Sequence, residues 1–177
     1  MNRKLKLWEL ERVNEEVFKK QKKFPVIVLL DDIRSLHNIG TFFRTSDAFN
    51  IEKIVLGGIT ASPPHREINK TALGATETVV WEYKKELIEE INNLRKEGYF
   101  IVSVEQSEKT TLLNEINSLF FQKIAIIFGN EVDGIQQDLI DQSDAVLEIP
   151  QFGTKHSLNV SVCAGIVLWE VIKRWIK

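Results

Sequence analysis

Residues 147–169, LEIPQFGTKHSLNVSVCAGIVLW, decide how the rest of the chain is read, together with residues 126–134, IIFGNEVDG, just upstream. Each segment begins as a short apolar strand and runs into glycine, carboxamides and hydroxyls. Each therefore presents polar groups at a strand's C-terminal end, the edge of an open α/β sheet where ligands bind. Ser157 or Asn159 has the chemistry to cap a helix running from about Val160 to Ile176, whose unpaired N–H groups would face the loop at 151–156.

Working outward, VIVLL at 26–30 is a continuous apolar run suited to a parallel sheet covered on both faces, and Asp31 and Asp32 end it. KIVLGG, TVVW at 78–81, YFIVSV, KIAIIF and AVLEI read as further strands. KKELIEEINNLRKEG is a helix that turns Leu87, Ile91 and Leu94 inward and stops at Gly98, and QQDLIDQ is a short helix. RSLHNIGTFFRTSDAF predicts a helix capped by Asn38 or Thr41 that buries Phe42, Phe43 and Ala48, with Arg44 on a different face. Gly40 there would let the backbone approach a ligand closely. Pro63 and Pro64 hold a loop, INKTALGA is a short helical segment ending on Gly74, and residues 105–122 read as loop with one helical turn around 112–116. Strands alternate with helical patterns, so the fold class is α/β, a mainly parallel sheet of about six strands flanked by helices on both faces.

At 177 residues the chain has the length of one domain. Its net charge is -2, yet residues 1–23 hold eight Lys/Arg against four Asp/Glu. In that stretch Leu7, Leu10, Val13, Val17 and Phe18 recur at helical spacing, the pattern of an amphipathic helix or a pair of short helices. The chain thus divides into a basic N-terminal helical extension, 1–23, and a domain, 24–177. The extension fits an anion such as RNA, and equally a solvated charged face; His65, Arg66 and Lys70 form a second basic patch open to the same two readings.

Several function classes drop out. Cys163 is the only cysteine, so an internal disulfide and a Cys-rich zinc site are excluded, and its apolar neighbours make it a small buried hydrophobe. His37, His65 and His156 are not spaced as metal ligands, so no metal is assigned. Neither GxGxxG nor GxxxxGK[ST] occurs, which disfavours a dinucleotide or P-loop site, and His156–Ser157 has no GxSxG elbow to make it a hydrolase. The chain lacks the apolar core of a signal peptide and any apolar run near the ~18 residues of a membrane span, so a cytoplasmic protein with no membrane contact is expected.

FGNEVDG and IPQFGTKHSLNVSVCAG closely resemble the second and third motifs of the SpoU (TrmH-like) RNA 2′-O-ribose methyltransferases of the SPOUT superfamily. The first motif, an Asn-x-Gly followed by an Arg, is matched by Asn38, Gly40 and Arg44, and residues 59–75 look like the family's middle region. The resemblance runs from Phe24 nearly to the end. It implies a deep C-terminal trefoil knot and S-adenosyl-L-methionine bound there in a bent form, held mostly by backbone around Val102, Val104, Gly129, Ile149, Gln151 and Leu158. Gly129 would allow close approach of the cofactor.

The same resemblance implies catalytic roles for Arg44, Asn38, Glu131, Ser157 and Asn159. Glu131 would fix Arg44 or a neighbouring loop by a charge-assisted hydrogen bond, and the short polar groups would orient the ribose, the cofactor carboxylate or one another. Guanidinium hardly ever loses its proton, so Arg44 would stabilise the developing alkoxide and grip a phosphate while the proton leaves to phosphate or water. The partners implied are RNA, either tRNA or rRNA, and a second copy in a homodimer. For the dimer, Val167, Trp169, Ile172, Trp175 and Ile176 offer more apolar bulk than one helix face needs. The separate RNA-binding domain of several ribosomal RNA members has no counterpart in these residues, which tilts the expectation slightly toward tRNA. A non-catalytic RNA-binding or assembly protein on the same fold is the alternative.

Overall fold

The structure, a computed structural model, describes residues 2–176; the Leu7 side chain, expected in the N-terminal apolar stripe, lies outside the described residues. The first apolar run forms β1 (Phe24–Asp31), and its period of two divides its side chains between two cores. Val26, Val28 and Leu30 join one apolar cluster, and Ile27 and Leu29 join the other. Burial on both faces explains why the strand reads as uninterrupted Val, Ile and Leu.

Before β1 stand a 3₁₀ turn at Leu7–Glu9 and the short helix α1 (Glu15–Lys20). After it come α2 (Leu36–Ala48), β2 (Ile51–Gly57), α3 (Arg66–Ala72), β3 (Trp81–Lys84), α4 (Leu87–Lys96) and β4 (Phe100–Val104). The chain continues through β5 (Thr111–Leu112), β6 (Ile124–Phe128), α5 (Gln137–Asp141), β7 (Ala145–Glu148) and α6 (Val160–Ile172). The strands form one sheet in the order β3-β2-β1-β6-β4-β7-β5, with every pairing parallel. Helices α2, α3 and α6 cover the face that carries Val28 and Leu30; α4 and α5 cover the other.

Seven strands stand where six were expected. The addition is β5, whose Thr111 and Leu112 pair with Leu147 and Glu148 at the sheet edge, followed by a 3₁₀ segment at Leu113–Ser118. Two residues are too few to carry a periodic signal. Strand β3 begins at Trp81, where the sequence pattern had placed a strand's end. Gly74, at φ 89°, turns the chain into a 3₁₀ turn at Ala75–Glu77, so Thr78 to Val80 are spent on the approach. Of the N-terminal apolar side chains that are described, Phe18 is buried, while Leu10, Val13 and Val17 stay exposed.

Helix α2 differs from expectation at both ends. Ser35, rather than Asn38 or Thr41, is its N-cap, accepting from the Asn38 N–H at 3.2 Å. Ala48 sits exposed in the last turn while Ile39, Phe42 and Phe43 fill the core. Gly40 meets no open space for a ligand. A Cβ there would overlap Thr71 Oγ1 and the Ile68 carbonyl, so this glycine exists to bring α2 against α3. Among the described residues no helix is long and apolar enough to cross a membrane.

Candidate functional site

The chain leaves β1 toward β2 and β3 on one side, and β6 later enters between β1 and β4. That reversal is the topological switch point of the sheet, the place where an α/β fold opens a crevice at its strands' C-terminal ends. A cavity of about 640 Å³ lies there, walled by the ends of β4, β6 and β7, the loop Gly129–Ile135, and residues 157–160 at the start of α6. Its size falls within the usual range for small-molecule sites. Val104, Ile140, Leu147 and Ile149 supply apolar surface. Its charged lining consists of Glu105, Glu131, Asp133 and Glu148, with no Lys or Arg among the described lining residues. Such a field favours a cationic ligand and opposes a phosphate-rich one.

The loop after β6 is shaped by its own polar groups. Asn130 Nδ2 donates to the Asp32 carbonyl at 2.7 Å, and Asn130 Oδ1 accepts from the N–H groups of Val132 (2.8 Å) and Asp133 (3.2 Å). Backbone bonds between Asn130 and Gly134 close the turn. Gly129 is required by this turn, because a Cβ on it would collide with the Gly134–Ile135 backbone. Glu105 anchors the loop from β4, accepting from the Ile135 N–H at 3.2 Å.

Residues 34–38, where the chain enters α2, converge on Glu131. Its carboxylate accepts from the Arg34 N–H at 3.0 Å, the Ser35 N–H at 3.1 Å and Asn38 Nδ2 at 2.8 Å. Burial pushes this carboxyl up, and the donations from Arg34, Asn38 and Ser35 outweigh it, leaving Glu131 below the usual carboxylate range. Asn38 then passes the connection on: its Oδ1 accepts from Asn159 Nδ2 at 3.2 Å and from Ser161 Oγ at 3.4 Å. Asn159 is the N-cap of α6, accepting from the N–H groups of Ser161 (3.0 Å) and Val162 (3.3 Å). One polar chain thus ties the start of α2, the β6 loop and the start of α6, residues up to 123 apart in sequence.

The structure brings together Asn38, Glu131 and Asn159 by direct bonds, and places Ser157 at the cavity wall, exposed. Between Ser157 and Asn159, it is Asn159 that caps. Val104, Gly129, Ile149, Gln151 and Leu158 line the cavity. Val102 does not: it is fully buried in the middle of β4, paired to Ile126 and Ala145 on its two sides, and the lining begins two residues later. Arg44 stands on the exposed face of α2, outside the cavity lining, with no hydrogen-bond or ion-pair partner among the described residues. Glu131 therefore fixes the loop at Arg34–Ser35 and not Arg44.

Sequence reasoning missed Asn130, Glu105 and Ser161. Asn130 opens a turn that Gly134 closes, a composition that marks a built turn, and Ser161 stands in the first turn of a capped helix. Glu105 carried no signal, because only the sheet brings the end of β4 to the loop after β6. Cys163 lines the cavity, and burial, reinforced by Glu105, pushes its thiol up to about 12. Among the described residues no cluster of three or more His, Cys, Asp or Glu is arranged to hold a metal ion.

The model of the SpoU rRNA Methylase family matches residues 25–169. The 23S rRNA (guanosine-2′-O-)-methyltransferase RlmB of Neisseria meningitidis is 31% identical over 156 residues, covering 88% of this chain and 61% of the relative. The chain therefore spans less than two thirds of that relative's length. Among solved structures, an AdoMet-bound rRNA methyltransferase from Sinorhizobium meliloti superposes with a TM-score of 0.80 at 25% identity, covering 90% of this chain and 61% of that one. The TrmH/SpoU tRNA modifying enzyme of A. aeolicus gives 0.78 at 25% identity, covering 90% and 79%.

Proposed function

Because the chain belongs to the SpoU rRNA methylase family, we propose that it methylates a ribose 2′-hydroxyl of RNA with S-adenosyl-L-methionine as donor. The observation that carries this reading is the cavity lining: four carboxylates, no Lys or Arg among the described lining residues, and the Glu131–Asn38–Asn159 chain at its rim. A donor with a sulfonium and an ammonium suits that charge, and its adenine suits the apolar wall at Val104, Leu147 and Ile149. When bound, S-adenosyl-L-methionine supplies an activated methyl group.

The chain's own residues then have three tasks. The loops at 129–135 and 149–158 hold the donor, largely through backbone, in a crevice whose shape Asn130 and Gly129 fix. Glu131, Asn38, Asn159 and Ser157 orient the ribose and one another; Asn38 is 8% exposed and so firmly placed. Arg44 acts from outside the crevice, its planar fork stabilising charge that develops on the 2′-oxygen and gripping a neighbouring phosphate while the proton leaves to phosphate or water.

The reading extends to assembly. Val162, Ile166 and Trp169 form an exposed apolar stripe at i, i+4 and i+7 on α6, the helix whose Val160 and Cys163 line the cavity. A homodimer through this stripe would bring a second copy beside the site. The reading also includes the C-terminal trefoil knot of the family, set in a sheet where β6 occupies the slot between β1 and β4 and β7 lies beyond β4. A cytoplasmic location accords with RNA as substrate. Ribosomal RNA has the support of the Neisseria relative's name and tRNA that of the A. aeolicus enzyme's.

Calorimetric titration with S-adenosyl-L-methionine and its demethylated product tests the central claim. Binding is expected, and abolition of binding by filling the turn with Gly129→Val is expected with it. Absence of heat from either ligand would shift the reading to a non-catalytic RNA-binding protein. Mapping 2′-O-methylation in total RNA of a deletion strain identifies the substrate.

A further inference from the structure

A second cavity, of about 790 Å³, opens at the opposite edge of the sheet, where β1, β2 and β6 begin. Four cationic side chains line it, Lys22, Lys23, Lys123 and Arg174, beside Phe121 and Trp175. Among the described lining residues Glu52 alone is acidic, and its Oε1 is already engaged by the Tyr99 hydroxyl at 2.8 Å. None of the four cations has a carboxylate partner among the described residues, although the chain as a whole carries more acid than base.

Two of these groups are left short of partners. Lys23 Nζ and Arg174 Nε are buried with no hydrogen-bond partner among the described residues. A buried cationic N–H without an acceptor is costly, and two of them beside one cavity leave positive charge that an anion held in the cavity would offset. Lys23 has only the Phe18 ring, 3.1 Å from Nζ to the centroid, and burial holds its ammonium below the usual range against the opposing pull of Asp47. Arg174 is rigidly aimed: its Nη2 donates to the Ile116 and Leu119 carbonyls, and its guanidinium lies 3.8 Å from the Phe121 ring centroid. Trp175 continues the aromatic wall, packed near Phe121 and stacked on Phe24 at 6.0 Å.

The geometry points to a second ligand site here, one that takes a nucleotide unit, with phosphate on the Lys23–Lys123–Arg174 cluster and base against the aromatic wall. Lysines serve phosphate as point charges and arginine as a donor fork, and aromatic faces accept any base. The site goes beyond methyl transfer, since a strand's length of roughly 25 Å separates the two edges of the sheet. The nucleotide has two possible sources, a free nucleoside monophosphate or one residue of an RNA chain held away from the methylated position.

The test titrates the full chain with guanosine 5′-monophosphate, hexauridylate and inorganic phosphate, by calorimetry and tryptophan fluorescence. Guanosine monophosphate is expected to bind and to quench fluorescence, with the quench lost in Trp175→Phe. Lys23→Gln and Lys123→Gln, the latter at an exposed position, are each expected to weaken nucleotide binding about fivefold or more, while S-adenosyl-L-methionine affinity stays at its wild-type value whatever that value is. If hexauridylate binds tenfold tighter than the mononucleotide and is weakened by the same variants, the source is RNA; equal or weaker binding assigns a free nucleotide. The proposal is overturned if neither nucleotide probe binds at millimolar concentration, if inorganic phosphate binds as well as guanosine monophosphate, or if Lys23→Gln and Lys123→Gln leave nucleotide affinity unchanged.

Discussion

Arg44 is the residue on which the proposed chemistry turns, and its exposure, with no partner among the described residues, makes its role separable from folding. Arg44→Ala is expected to leave stability and S-adenosyl-L-methionine affinity nearly intact while slowing methyl transfer about a hundredfold or more, the scale for losing one oxyanion-stabilising group. Arg44→Lys should recover little, because an ammonium does not reproduce the guanidinium fork. A single-turnover assay with radiolabelled cofactor on unmodified RNA separates these outcomes; wild-type turnover in both variants would remove Arg44 from the site. Glu131 behaves differently, since its carboxylate ties the loop after β6 to the start of α2. Its folded-state pKa is lowered, so the stability it contributes is fully present above the unfolded-state value and is lost as pH falls through the folded one. Urea midpoints measured from pH 7 down to pH 3 should fall less steeply in Glu131→Gln than in wild type. At Cys163 the thiol, raised to about 12, should react with iodoacetamide at pH 8 more than about tenfold slower than a free thiol, whose pKa is near 8.5.

At the scale of elements, the contact between α2 and α3 and the cap of α6 carry the burden of holding the site. Gly40→Ala places a methyl group against the Ile68 carbonyl, which is backbone and has nowhere to go. A loss of about 1–3 kcal/mol is expected from this overpacking, read as a lower denaturation midpoint with an unchanged slope. Asn159→Ala removes both the cap of α6 and the bond to Asn38, and should cost about 1–2 kcal/mol on the capping term. A paired Asn38→Ala variant tests their coupling: if the two residues act through one bond, the double variant loses less than the sum of the single ones.

For the whole molecule, the exposed stripe on α6 is the feature that a lone chain leaves unexplained. Trp169 is 50% exposed, flanked on the same face by Val162 and Ile166. Trp169→Glu is expected to convert a homodimer into a monomer in sedimentation at micromolar concentration and to abolish methyl transfer with it. A wild-type protein that already sediments as a monomer would remove the dimer from the proposal.

Periodicity and turn residues, local properties of the chain, were enough to determine the α/β class, five of the strands, the long helices and the two polar loops at the sheet's C-terminal edge. The motif match added the family and pointed to Asn38, Glu131 and Asn159. What the sequence by itself left open was which partner each polar group takes. Asn38 looked like a cap and is instead the link between Glu131 and Asn159; Glu131, left open between Arg44 and a neighbouring loop, holds the loop at Arg34 and Ser35. The apolar residues of the last helix likewise divided, with Val167 and Ile172 going inward and Trp169 outward. Strand order decided these matters. Placing β6 between β1 and β4 brings residues about a hundred positions apart to within 3 Å, and hydrogen bonds and ion pairs depend on that separation in space, on which spacing along the chain is silent.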